Sequence, residues 1–227
     1  MSTLLLLDLD GTLIDTPHFD AWCNAVRQFG IEELSYNEYV AYMAGRPRLE
    51  GALRLIERRT HGANPDLHRA GASRALAQIK QSEFLRLCVN TRLFDDALRL
   101  LERLKQSRQH VKLYTASQNA ESLLHAALSK AGMSLSGPVL VKQRTGQTRE
   151  DLFMHLVEGY SLASVMLVDD APHAVDAACS LGIQAYQILR RESQMTVEHS
   201  SARILTSLDD IAVPIGEQMQ GAHNEGA

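Results

Sequence analysis

The sequence predicts an α/β chain, a Rossmann-like parallel sheet core interrupted by an all-helical insert. Three observations carry that reading. The chain opens on Leu4-Leu5-Leu6-Leu7-Asp8-Leu9-Asp10-Gly11, and a strand so continuously apolar belongs in a sheet covered on both faces. Residues 16–90 then show helical periodicity and nothing that reads as a strand. From Leu93 onward, helical stripes and short apolar runs alternate, the pattern of βα units.

Each element has its own signal. Phe19, Trp22, Cys23, Val26 and Phe29 recur at helical spacing, and Gly30 stands where a helix-closing glycine is expected. Ser35 and Glu38 read as a capping box for a second helix. Leu49, Leu53 and Ile56 mark a third, and Asp66 to Cys88 suggests further helix. Leu93, Phe94, Ala97, Leu98, Leu101 and Leu104 form a helical stripe before the strand Val111 to Thr115. A helix over Ser117 to Ala131 leads to the strand Pro138 to Lys142, and a helix over Thr148 to Glu158 to the strand Val165 to Val168. Pro172 opens a helix that Gly182 follows, as N-terminal proline and C-terminal glycine preferences dictate. Ala185 to Leu189 and Ile204-Leu205 complete the strands. The expected domains are therefore 1–15 with 91–213 as the core, 16–90 as the helical insert, and 214–227 as a polar, disordered tail.

Composition narrows the classes. A chain of 227 residues with 45% hydrophobic and 22% charged residues can bury a sizeable core, and a net charge of −4 gives no reason to expect a nucleic-acid partner. Cys23, Cys88 and Cys179 have no metal-ligand spacing and read as reduced thiols of a cytoplasmic protein. The Leu4 to Leu7 run meets Asp8 too soon to be a signal or a membrane span, so no membrane partner is expected. Nothing in the sequence sets an oligomeric state.

Three strands end in polar residues: Asp8/Asp10, Thr115/Ser117 and Asp169/Asp170. Parallel sheets bind ligands beyond the carboxyl ends of their strands, so these residues are placed to meet. Three acidic side chains at one point repel unless a cation holds them, and hard oxygen ligands suit Mg²⁺. With that charge neutralised, one aspartate can attack phosphorus while a second carboxylate two residues on handles the leaving group's proton.

Asp8-Leu9-Asp10-Gly11-Thr12-Leu13 closely resembles the first motif of the haloacid dehalogenase superfamily. Thr115 resembles its second motif, and Val168-Asp169-Asp170-Ala171-Pro172 through Ala177-Ala178 to Gly182 its fourth, a resemblance spanning about residues 3 to 210. The insert is similar to the helical cap of phosphoglycolate phosphatase-like and β-phosphoglucomutase-like enzymes, and Gly45-Arg46-Pro47-Arg48 to its site-facing loop.

The resemblance implies Asp8 as nucleophile and Mg²⁺ ligand, Asp10 as acid/base and backbone ligand, Asp170 as the main further metal aspartate, and Asp169 as its assistant. It implies Thr115 on the transferring phosphoryl group, with the Ala116 N–H and the Ser117 side chain; Arg46 and Arg48, in the site-facing loop, are candidates to contact a distal anionic part of the substrate. Asp10 favours phosphoryl transfer over dehalogenation, which needs no acid on its leaving group. The expected activity is a Mg²⁺-dependent phosphatase acting on a small phosphorylated metabolite through an aspartyl-phosphate. The alternatives are a phosphomutase acting on a sugar phosphate, or an impaired fold with a binding or regulatory role.

The third motif departs from the family pattern. Its lysine position is Gln147 and its prolines are absent, while the transition state still requires a cation. Arg149, in the first turn of a capped helix, is the first choice, Lys142 the second, and Arg144 a third. His18 and His173 show no ligand-like spacing and read as surface or packing residues, and Trp22 reads as core.

Overall fold

The computed structural model describes residues 3–60, 71–107, 109–117, 119–135, 138–192 and 194–213. The expected tail 214–227 and part of the Asp66 to Cys88 segment lie outside them. The strands are β1 (Leu4–Asp8), β2 (Ile14–Asp15), β3 (Arg92–Leu93), β4 (His110–Thr115), β5 (Val139–Lys142), β6 (Val165–Asp169), β7 (Gln184–Ile188) and β8 (Arg203–Leu205). The helices are α1 (His18–Gln28), α2 (Tyr36–Tyr42), α3 (Arg48–Thr60), α4 (Ala72–Leu87), α5 (Asp95–Lys105), α6 (Ala120–Lys130), α7 (Arg149–Leu156) and α8 (Pro172–Ser180).

Six strands make one parallel sheet in the order β5-β4-β1-β6-β7-β8. Strand β1 is central because both its faces are buried. Leu5 and Leu7 enter the core that α5 and α6 cover, while Leu4 and Leu6 enter the one under α7 and α8. Side chains alternate across a strand, so an unbroken leucine run needs this two-sided cover. From β1 the chain builds outward to β4 and β5 on one side, then returns to lay β6, β7 and β8 on the other. The strand order thus reverses at β1, where open sheets form a ligand crevice.

Helices α1–α4 come between β2 and β3, which pair antiparallel at the junction with the core. Leu93 therefore lies in a strand rather than in the helical stripe expected of it. In α3 the buried residues are Gly51, Ala52, Leu55 and Ile56, whereas Leu49 and Leu53 face outward. Ile56 is buried as its spacing predicts, while the small Gly51 and Ala52 take the buried face in place of Leu49 and Leu53. Ser35 and Thr148 each cap a helix in a full capping box. Among the described residues no helix is long and apolar enough to cross a membrane.

One ion pair, its carboxylate buried and its guanidinium largely so, braces the loop after β1. Arg190, just past β7, reaches Asp96 Oδ2 at 2.7 Å and donates to the Thr12 carbonyl, while the same carboxylate oxygen accepts the Leu208 N–H at 2.8 Å. Burial pushes the Asp96 carboxyl up, but the bonds from Arg190 and Leu208 outweigh it and hold it below the ordinary range. Its contribution is therefore present above the unfolded pKa of about 3.9 and lost as pH falls through the lower folded value. Removing one partner strands the other, so Asp96→Ala should cost about 3–5 kcal/mol by urea unfolding at pH 7. A loss under about 1 kcal/mol would show that the pair does not brace the loop.

Candidate active site

The carboxyl ends of β1, β4 and β6 converge below a cavity of about 530 Å³. Its floor includes Asp8, Asp10, Ala116, Ser117, Arg149, Asp169 and Asp170, and its roof Arg46, Arg48, Arg74, Lys80, Trp22 and Tyr39 from the helical insert. The pairing Leu7↔Val168 sets Asp8 beside Asp169 on adjacent parallel strands.

Asp8, Asp169 and Asp170 each offer an oxygen within 4.8 Å of the others. Burial pushes the Asp8 carboxyl well above the ordinary range, and repulsion from Asp169, Asp170 and Asp10 adds to it, with Arg149 in opposition. Asp170 is raised in the same way by burial and by Asp169 and Asp10. Burial also raises Asp169, which Arg149 and hydrogen bonds from Ala171 N–H and Tyr114 Oη hold back. Carboxylates this close, two of them buried and Asp170 half-buried, fit a hard divalent cation such as Mg²⁺. The Asp10 side chain lies outside that cluster.

Gly11 makes the cluster possible. Its φ of +87° suits a residue without a side chain, and a Cβ there would lie 2.4 Å from Asp170 Oδ2. The loop turns back so tightly that both Leu13 and Ile14 donate to the Leu9 carbonyl.

Asp10 turns toward Thr115, whose Oγ1 donates to Asp10 Oδ2 at 2.8 Å, and toward His18, whose Nε2 stands 3.3 Å from Oδ1. Burial pushes Asp10 up, but His18, Thr115 and the Lys80 charge outweigh it and leave the carboxyl below the ordinary range. Lys80 Nζ lies 2.7 Å from His18 Nδ1. When the ammonium donates to Nδ1, the imidazole proton sits on Nε2 and faces Asp10. Burial, with Arg48 adding to it, brings Lys80 down to about 7.

The cavity thus brings together Asp8, Asp10, Asp169, Asp170, Arg149, Ala116, Ser117 and Arg48. Arg48 also donates to Gln81. Thr115 is fully buried, its hydroxyl donating to Asp10 and accepting the Ser117 N–H at 2.9 Å. It therefore positions Asp10 and the following turn rather than lining the cavity. Lys142 is not brought to the site: it is partly exposed and pairs with Glu121 at 3.0 Å. Arg144 is exposed as well, and Gln147, at the usual lysine position, closes their loop by accepting the Arg144 N–H.

Sequence reasoning missed Lys80, His18 and Tyr114. Lys80 had a signal, because it continues the apolar stripe Leu76, Ala77 and Phe84 of α4, and a lysine on such a stripe is seldom buried without a task. His18 stacks on Phe84 at 4.3 Å and meets Asp10 only through the packing of α1 on α4. No local pattern announces that contact.

Comparisons with known proteins bear on the family and the fold. A family model described as haloacid dehalogenase-like hydrolase matches residues 3–182. No curated protein matches the chain by sequence. Among solved structures, a β-phosphoglucomutase from Pyrococcus sp. strain ST 04 is similar with a TM-score of 0.67 at 23% identity, over 92% of this chain and 95% of that one. A predicted phosphoglycolate phosphatase from Haemophilus somnus 129PT aligns with a TM-score of 0.69 at 16% identity, over 92% and 96% of the two chains. A β-phosphoglucomutase from Clostridium difficile gives 0.69 at 18%, over 93% and 94%. At these identities the likeness is one of fold.

The raised carboxyls set a pH sign. A carboxyl whose folded pKa is raised destabilises the metal-free protein increasingly as pH climbs from the unfolded value through the folded one, and a bound cation removes that penalty. Mg²⁺ should therefore raise the melting temperature more at pH 8 than at pH 5. Asp170→Asn should stabilise the metal-free protein at pH 8 by a few degrees and abolish most of the Mg²⁺ effect. Equal Mg²⁺ shifts in the variant and the wild type would contradict a cation site at this cluster.

Proposed function

Because the chain belongs to the haloacid dehalogenase-like hydrolases, we propose that it is a Mg²⁺-dependent phosphatase of a small phosphorylated metabolite, working through an aspartyl-phosphate at Asp8. The observation that carries this reading is the meeting of two buried carboxylates, a third that is half-buried, and the Arg149 guanidinium at one cavity. Asp8, Asp169 and Asp170 would hold the Mg²⁺, together with the Asp10 backbone carbonyl. The ion would neutralise the phosphate and the carboxylates so that an anion can be attacked.

In the first half-reaction an Asp8 oxygen forms a bond to phosphorus while the bond to the leaving oxygen breaks. Asp10 gives that oxygen a proton. Asp10 is held low without substrate, but a phosphate dianion beside it raises its proton affinity. The His18 Nε2–H facing it keeps the carboxyl oriented. In the second half-reaction water attacks phosphorus, Asp10 takes its proton, and Asp8 leaves as carboxylate. Ala116 N–H, the Ser117 side chain and Arg149 would bind the phosphoryl oxygens, donors of the kind that stabilise developing charge.

The helical insert would act as a cap that excludes water during the reaction. Its cationic roof of Arg46, Arg48, Arg74 and Lys80 suits a substrate with anionic or polar atoms beyond the transferring group. That same roof favours the second reading, a phosphomutase that holds a sugar phosphate at both ends and returns the phosphoryl group to it. Release of inorganic phosphate separates the two. The impaired-fold reading rests on Gln147 and the missing prolines, and Arg149 at the cavity would supply the cation that Gln147 lacks. The scattered spacing of Cys23, Cys88 and Cys179 supports a reduced, cytoplasmic setting.

A screen of phosphorylated metabolites with and without Mg²⁺ tests the assignment. Inorganic phosphate should appear only with Mg²⁺, and Asp8→Asn should lower turnover at least about a thousandfold. Turnover surviving that substitution would overturn the nucleophile. Arg149→Ala should cost about 10²–10³ in kcat/KM, while Lys142→Ala stays within about twofold of wild type, since Lys142 pairs with Glu121 outside the cavity. The reverse ranking would move the third-motif role to Lys142.

A further inference from the structure

Arg149 faces two ways. It opens α7 on the core side, and its Nη2 donates at 2.7 Å to the carbonyl of Gly45 in the insert, between α2 and α3. The guanidinium is over nine-tenths buried, yet Nε and Nη1 have no hydrogen-bond partner and the side chain makes no ion pair with a described carboxylate. Its charge still reaches Asp8 and Asp169.

Gly45 is seated tightly. At φ +65° it presses against Arg149 and His173, and a Cβ there would lie 3.0 Å from Arg149 Nη2, 3.0 Å from His173 Cε1 and 3.1 Å from His173 Nε2. His173, near the start of α8, supplies the second wall of the socket. Burial pushes that imidazole down to about 3, with Arg46, Arg149 and Arg54 adding to it, so at neutral pH it contributes no second cation.

We propose that Arg149 couples occupancy of the phosphoryl site to closure of the helical insert, through its hydrogen bond to the Gly45 carbonyl, with His173 as the positioning residue that seats Gly45. This rests on the phosphatase reading above and adds the device that links its two parts. Closing the insert takes a guanidinium out of water with one N–H bonded and others unsatisfied, which is costly. An anion beside Asp8 satisfies Nε and Nη1 and compensates the buried charge, so it stabilises the closed arrangement selectively. By linkage the closed arrangement holds the anion more tightly. A lysine at this position has one compact ammonium and cannot fork between the anion and the carbonyl.

The test uses the whole chain with Mg²⁺ and inorganic phosphate as the probe. Calorimetry reads phosphate affinity, small-angle X-ray scattering reads compaction, and acrylamide quenching reads the single tryptophan, Trp22, on the cavity wall. In wild type, phosphate should compact the molecule and protect Trp22. Arg149→Lys and Gly45→Ala should still bind phosphate, roughly tenfold more weakly, with compaction and protection lost. His173→Ala, which strains no backbone, should show the same loss in smaller degree, and this variant stands in if Gly45→Ala fails to fold. Phosphate-driven compaction that survives in both Arg149→Lys and His173→Ala overturns the coupling and leaves the phosphatase reading intact. Failure of wild type to bind phosphate overturns that reading, and the coupling with it.

Discussion

Asp8, Asp169 and Asp170 place negative charge at one buried point, and much of the surrounding structure answers that repulsion. The parallel register of β1 and β6 forces two of them side by side. Tyr114 and the Ala171 N–H occupy one oxygen each of Asp169, while Arg149 and Arg190 bring positive charge toward Asp8 and Asp170. Even the missing Cβ of Gly11 serves the cluster, because any side chain there would displace Asp170. These compensations remain incomplete without a cation, and that deficit links fold to chemistry.

A second consequence is the polarity of the roof. The insert has its own apolar core around Trp22, Val26, Leu55 and Leu76, yet it points Arg46, Arg48, Arg74 and Lys80 at the cavity. Lys80 is a buried ammonium whose nearest polar partner is His18, which in turn stands against Asp10. The acid/base candidate of the core is thus oriented by side chains of the insert. Arg191 reinforces the junction by lying 4.6 Å from the Tyr36 ring and 5.3 Å from that of Phe19.

The parts legible in the sequence were those governed by local pattern. The continuous leucines of β1, the capping boxes at Ser35 and Thr148, and the carboxylates at strand ends follow from strand alternation, cap chemistry and topology. Contacts between elements distant in sequence were not legible. The destination of Lys142 depended on Glu121 across a neighbouring helix, and the approach of His18 to Asp10 on the packing of α1 against α4. In α3 the spacing finds Ile56 but not the rest of the buried face, which the small Gly51 and Ala52 occupy in place of Leu49 and Leu53. Arg149 shows the limit from the other side: the cap at Thr148 placed it in the first helical turn, but only the fold reveals the Gly45 carbonyl that holds it.

Anomalous diffraction from crystals soaked in Mn²⁺, a stand-in for Mg²⁺, shows whether a divalent cation resolves the carboxylate cluster. One dominant peak should stand at about 2.1 Å from oxygens of Asp8 and Asp170. A peak elsewhere, or none at the cluster under saturating Mn²⁺ at pH 8, would contradict it.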